Sequence, residues 1–246
     1  MRPTARSVIV ALLLLVMAPG ALAYRPFDST DASVAEAGKL ELELGPLGYL
    51  VEGHEHFLVI PALIANLGLS RRWELVLEGR HVLLVTDGQG EPRSRLVDTG
   101  LFVKGVLREG TLQDGVGPSV AVEAGVLLPT VNGESGAGAS VAAIVSQRWS
   151  SMTVHVNGAA ARTRAGRLDL FAGVILEGPY RWAVRPVAEI FVEREFDTSF
   201  AVSGLVGAIW RTREDLSLDI GIRAARANGE FAGEFRAGLT WAFGLR

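Results

Sequence analysis

The chain has 246 residues, 49% of them hydrophobic and 21% charged, with a formal net charge of -3 and no cysteine. The missing cysteines exclude a disulfide scaffold, a thiolate metal site and a cysteine nucleophile, and with lysine only at Lys39 and Lys104 there is no basic tract for nucleic acid. Mean hydropathy is +0.29, too apolar for disorder, yet no apolar run beyond residue 23 reaches the ~18–20 residues that a membrane helix needs.

The chain opens on an export signal. Arg2 and Arg6 form a positive start, residues 8–18 an apolar core, and Pro19 and Gly20 a break before the small-residue cleavage pattern Ala21, Leu22, Ala23. Residues 1–23 are therefore expected to be a Sec signal peptide, with 24–246 as the mature domain and 24–38 as its periplasmic N-terminal segment. From residue 39 onward, apolar side chains recur every second position instead of every three or four. Leu40, Leu42 and Leu44 alternate with Glu41 and Glu43, and Leu216, Leu218, Ile220 and Ile222 alternate with Ser217, Asp219 and Arg223. Turn residues cut this pattern into about twelve strands, at 39–45, 56–69, 73–83, 96–108, 119–129, 139–149, 151–163, 167–177, 180–194, 199–211, 215–226 and 231–243. Pro61 and Pro186 fall inside two of them, which calls for bulges.

Such strands fit a soluble sandwich or a membrane barrel. Many are 11–14 residues long, against about 5–6 in soluble sheets and about 9–11 for a tilted membrane strand. The apolar faces carry no Asp, Glu or Lys, and Arg only at strand ends, at Arg162, Arg194 and Arg226. Trp73, Trp149, Trp182, Trp210 and Trp241 all fall in the apolar register at one rim, with Phe243 beside them, as an aromatic girdle would. The expected fold is an all-β, antiparallel up-and-down transmembrane barrel in the outer membrane of a Gram-negative cell. Its partners would be outer-membrane lipid and, during biogenesis, periplasmic chaperones and the barrel-assembly machinery.

Several short stretches also resemble one family. Tyr24, Arg25, Pro26 and Phe27 with Ser29, Thr30 and Asp31 look like the opening of the MetA-pathway of phenol degradation family of outer-membrane transporters. Gly38 to Glu43, Pro61 through Leu69, Arg72 to Leu75, Asp98 to Leu101 with Lys104, and Leu128, Pro129 and Thr130 are similar to later family motifs, in family order. Val131 stands where the family has glycine. The resemblance implies an outer-membrane barrel with a transport role and supplies no substrate.

Enzyme and metal chemistry find little support. Of four histidines, only His155 is placed inward near mid-barrel, with Ser146 on the next strand, and no G-x-S-x-G elbow is present. His54 and His56 share one face of an extended segment but lack a third ligand. The glycine-rich stretch 132–138 opens no helix and so forms no phosphate cradle. No cofactor, metal or catalytic residue is expected. The inward row is the informative set. Glu41, Glu43, Glu74, Glu78, Asp98, Glu123, Glu189 and Glu234 oppose Arg80, Lys104, Arg185, Arg223 and Arg236, with Asp169, Glu193 and Arg108 in the same register. Charges lining a wet lumen set solute preference, so the expectation is a passive channel for small solutes through a narrow mixed-charge lumen. The alternatives are a barrel closed by its own salt bridges, with a structural or surface role, and a barrel lipid hydrolase.

Overall fold

The computed structural model describes residues 25–86 and 93–245; the export signal expected at 1–23 lies outside them. Twelve strands follow one another: β1 (Lys39–Glu52), β2 (Glu55–Gly68), β3 (Trp73–Leu84), β4 (Ser94–Arg108), β5 (Ser119–Leu127) and β6 (Gly138–Arg148). Then come β7 (Thr153–Arg162), β8 (Leu168–Glu177), β9 (Val184–Glu195), β10 (Ser199–Arg211), β11 (Leu216–Ala227) and β12 (Glu230–Gly244). Each pairs antiparallel with its sequence neighbours, and β1 closes on β12, so the sheet is a closed barrel. Closure leaves no unpaired edge.

Alternation sorts the side chains as their polarity requires. On β3, Trp73 is exposed while Glu74 is buried, and on β10 Trp210 is exposed while Ile209 is buried. The outer face carries half-exposed apolar residues along its length, among them Leu77, Val141, Ile190, Val206 and Ile222. All five tryptophans lie on this face at the end of the barrel where β1 starts and β12 ends, and Arg162, Arg194 and Arg226 lie at the other end.

Three expectations need correction. The stretch 46–55, read as a loop, is strand up to Glu52, because a register shift between Leu44 and Leu47 absorbs Pro46. Trp182 does not start a strand: it sits in the turn before β9, its N–H bonded to the Pro179 carbonyl, although it keeps the rim position. Pro186 needs no bulge and pairs in register with Ala208. Its carbonyl accepts the Gly178 N–H, so its missing donor points to the end of β8, where the neighbouring strand is already turning away. Pro61 does sit in the expected bulge, between Val59 and Ala62.

Residues 25–38, expected on the periplasmic side as a lead-in to β1, lie inside the barrel. They run around its inner wall past one strand after another. Ala35 N–H donates to Glu74 of β3, Ala32 N–H to Ser146 of β6, and Thr30 N–H to Asn157 of β7. Ser29 and Asp28 N–H groups donate to Glu189 of β9, Phe27 packs on Val187 and Ile209, and Arg25 pairs with Asp219 of β11. Glycine makes room on the wall: a Cβ on Gly221 would stand 3.0 Å from the Pro26 ring, and one on Gly173 would collide with the Ser29 hydroxyl. The long joint between β4 and β5 serves the same packing. Its 3₁₀ turn, Thr111–Gln113, puts Leu112 against Ala32, Ala121 and Ile144, and the Gln113 amide donates to the Ala32 carbonyl.

Candidate functional site

The candidate site is the barrel interior, which combines the wrapped segment with the cavity it leaves free. Strand period two turns the expected row inward, except that Arg108, past a register slip between Val106 and Arg108, is exposed and outside the cavity lining; closure then brings strands far apart in sequence within contact. Glu41, Glu43, Glu74, Lys104, Arg185, Glu189, Glu234 and Arg236 are buried inside; Glu78, Arg80, Glu123 and Arg223 are half-buried. Asp98 arrives by a different route. It has φ of 52° at a bulge where the β3–β4 register slips between Glu78 and Arg80. That bulge leaves the Asp98 carboxylate 3.5 Å from the Arg80 guanidinium.

Two networks result. Glu234 gathers three guanidinium groups, with Arg80 at 3.0 Å, Arg236 at 2.8 Å and Arg223 at 3.2 Å. Arg236 also holds the segment, donating to the Pro26 carbonyl and to Asp28. The second network lies nearer the termini. Lys104 is fully buried between Glu74 at 3.5 Å and Asp31 at 3.8 Å, and donates to the Thr30 hydroxyl. Ions removed from water at this depth persist only with such partners. Half of the partners belong to residues 25–35, so the lumen charges clamp the segment as well as line a space.

A Ser–His–Glu relay is also present. The Ser146 hydroxyl lies 2.8 Å from His155 Nδ1, His155 Nε2 lies 3.1 Å from Glu177, and Arg185 holds the other Glu177 oxygen at 3.2 Å. It resembles a hydrolase triad in composition. However, Ser146 is 0% exposed beneath Ala32, whose N–H donates to its oxygen. It is also absent from the cavity lining, so no substrate carbonyl reaches it in this arrangement. The relay anchors the segment to β6–β9. His54 and His56 do not converge on a shared site, and His56 instead meets the Tyr49 hydroxyl at 2.6 Å. Among the described residues no cluster of three or more metal-ligating side chains occurs.

The remaining space is a cavity of about 500 Å³. One wall is charged and carries Glu43, Glu78, Arg80, Asp98, Arg223 and Glu234; the other is small, with Ser140, Ala142, Ala159 and Ala161. Phe102, Phe171 and Phe191 also line it. The sequence reading did not single out these rings, nor the segment's role. The available signal was one glycine on each of three strands, Gly173 on β8, Gly221 on β11 and Gly238 on β12, since a glycine inside a strand often marks the close approach of another backbone.

No family model matches the chain, and no curated protein matches it. Solved structures do. The COG4313 outer membrane channel from Pseudomonas putida F1 superposes with a TM-score of 0.62 at 11% identity, over 88% of this chain and 100% of that one. The KdgM porin in complex with disordered oligogalacturonate superposes at 0.53 and 8% identity, over 83% of this chain and 99% of that one. At these identities the likeness establishes the fold: a closed twelve-stranded antiparallel barrel of the kind found in outer-membrane proteins.

Proposed function

We propose that the protein is an outer-membrane channel through which small solutes pass down their own gradients, along a narrow lumen of mixed charge. The observation that carries this reading is one wall with two opposed faces: apolar residues outside along the full strand length, and a cavity of about 500 Å³ lined by ionisable groups inside. Lipid is the only solvent that suits the first face, and a hydrated solute the second. The tryptophan rim and the three outer arginines fit the two headgroup levels of a bilayer. A distant place in the MetA-pathway of phenol degradation family accords with the COG4313 likeness and belongs to the same proposal. So do delivery by periplasmic chaperones and insertion by the barrel-assembly machinery.

Passage by diffusion accords with an interior that offers binding groups and no coupling device. Specificity would come from Glu43, Glu78, Asp98, Glu123 and Glu193 set against Arg80 and Arg223, all of which line the cavity. One observation favours the rival reading of a closed barrel: residues 25–38 occupy part of the interior. Liposome swelling separates the two. Vesicles carrying the folded barrel should swell in isotonic solutions of small solutes and stay unchanged in those of large ones; vesicles that never swell support the closed barrel.

A further inference from the structure

The cavity contains more carboxylates than its cations pair with. Arg80, Arg223 and Arg236 share Glu234, Asp98 and Asp28, and Arg164 reaches Glu134. Among the described residues, Glu43, Glu78, Glu123 and Glu193 line the same cavity and take part in no ion pair. Glu43 is the telling member. It is 0% exposed, one oxygen accepts the Asn66 amide at 2.8 Å, and the other has no partner. A buried acceptor left empty is costly, and Glu43 stands in the cavity wall with that acceptor unmet.

Aromatic rings sit beside two of these carboxylates. The Glu78 carboxylate and the Phe102 ring both close over Gly100: a Cβ there would stand 3.0 Å from Glu78 Oε1 and 2.6 Å from Phe102 Cζ. Across the barrel, Glu193 is the direct cross-strand partner of Phe171, whose ring lies 5.1 Å from that of Phe191. Glu43 and Glu78 share one row of the sheet, on either side of Ile64. A carboxylate next to a phenyl face suits an organic ammonium, because the carboxylate meets the charge while the ring meets the polarised C–H or N–H shell. A hydrated inorganic cation would use only the first half of that pair.

We propose that this cavity binds a small organic ammonium with an apolar or aromatic body, held between Glu78 with Phe102 and Glu193 with Phe171, above Glu43. The seat rests on the reading of the interior as a solute path, and it gives that path a substrate class. The test is calorimetric titration of the full barrel in detergent, which needs no conduction. Benzyltrimethylammonium chloride should bind saturably at one site, and sodium benzoate, of matching shape and opposite charge, should not. In a Glu78→Gln, Glu193→Gln variant that keeps its heat-dependent gel shift, binding should weaken about tenfold or more, the scale of a lost contact to a charged group. Equal binding of benzoate, no binding of the ammonium, or full affinity in the folded variant overturns the proposal. If the variant does not fold, the contrast between ammonium and benzoate in the unmodified barrel decides. A barrel that binds the ammonium yet never passes solute overturns the channel reading and leaves the seat standing; one that passes solute and binds benzoate as well does the reverse.

Discussion

The two halves of the interior use the same residue types for different ends. Near the termini, Lys104, Glu74, Glu189 and Asp219 are each engaged by residues 25–35. Toward the other end, Glu78 and Glu193 line the cavity with no ion-pair partner among the described residues. Inward charge on a barrel strand therefore has two meanings, a clamp where a partner is supplied and a cavity-facing surface where none is. The difference lies in residues 25–38, and the strands alone do not reveal it.

The contrast can be broken from the clamp side first. Lys104→Met leaves Asp31 and Glu74 buried without their cation, and should cost about 3–5 kcal/mol, the scale for breaking a buried ion pair from one side. Reversible unfolding in urea with lipid vesicles would measure it; a loss below 1 kcal/mol would mean that the charges near the termini are no more bound than those above them. Ser146→Ala is the neutral version of the same cut. It strands the Ala32 N–H and His155, and should cost about 1–3 kcal/mol, with increased protease access to residues 25–35 as the accompanying sign.

On the open side the expected effects on stability are small. Glu193→Gln removes a carboxylate that holds nothing in place and should stay within about 0.5 kcal/mol of the parent, while shifting ion preference away from cations. The smallest effect belongs outside the barrel, at Arg72 and Glu109. Arg72 donates to the Glu109 carboxylate at 2.8 Å. That hydrogen bond and the guanidinium charge hold the carboxyl below its ordinary value. A depressed carboxyl stabilises the fold above its unfolded pKa, and the contribution fades as pH falls through the folded value. Arg72→Gln should thus lower the melting temperature slightly at neutral pH and not at all in acid; an equal drop at both would assign the loss to packing.

The strands were legible because a wall with lipid on one side and charge on the other admits no pattern but alternation. Eleven stand where that pattern put them, give or take their ends, and β1 runs on past the expected 39–45 to Glu52. Pro46 and Pro186 misled in the same direction, each read as more disruptive than it is. A proline reads as a break or a bulge in sequence, and its cost depends on whether a neighbour is there to miss its N–H, which only the pairing reveals. The inward placement of the charged row followed from period two except at the register slips beside Asp98 and Arg108. Partnership was not legible, because Lys104 meets Asp31, and Glu189 meets Asp28 and Ser29, across separations that only barrel closure removes. Residues 25–38 carry no periodicity of their own, since the segment passes one strand after another. Their trace in the sequence lies elsewhere, in the inward glycines that make space for them.

The central claim is that the interior is a solute path which residues 25–38 narrow without sealing. Single-channel recording in planar bilayers tests it most directly, with the full chain compared against a chain that begins its mature portion at Gly38. The account predicts small discrete current steps from the full chain and steps severalfold larger from the shortened one. Silence from both, in protein that shows the heat-dependent gel shift of a folded barrel, would contradict it.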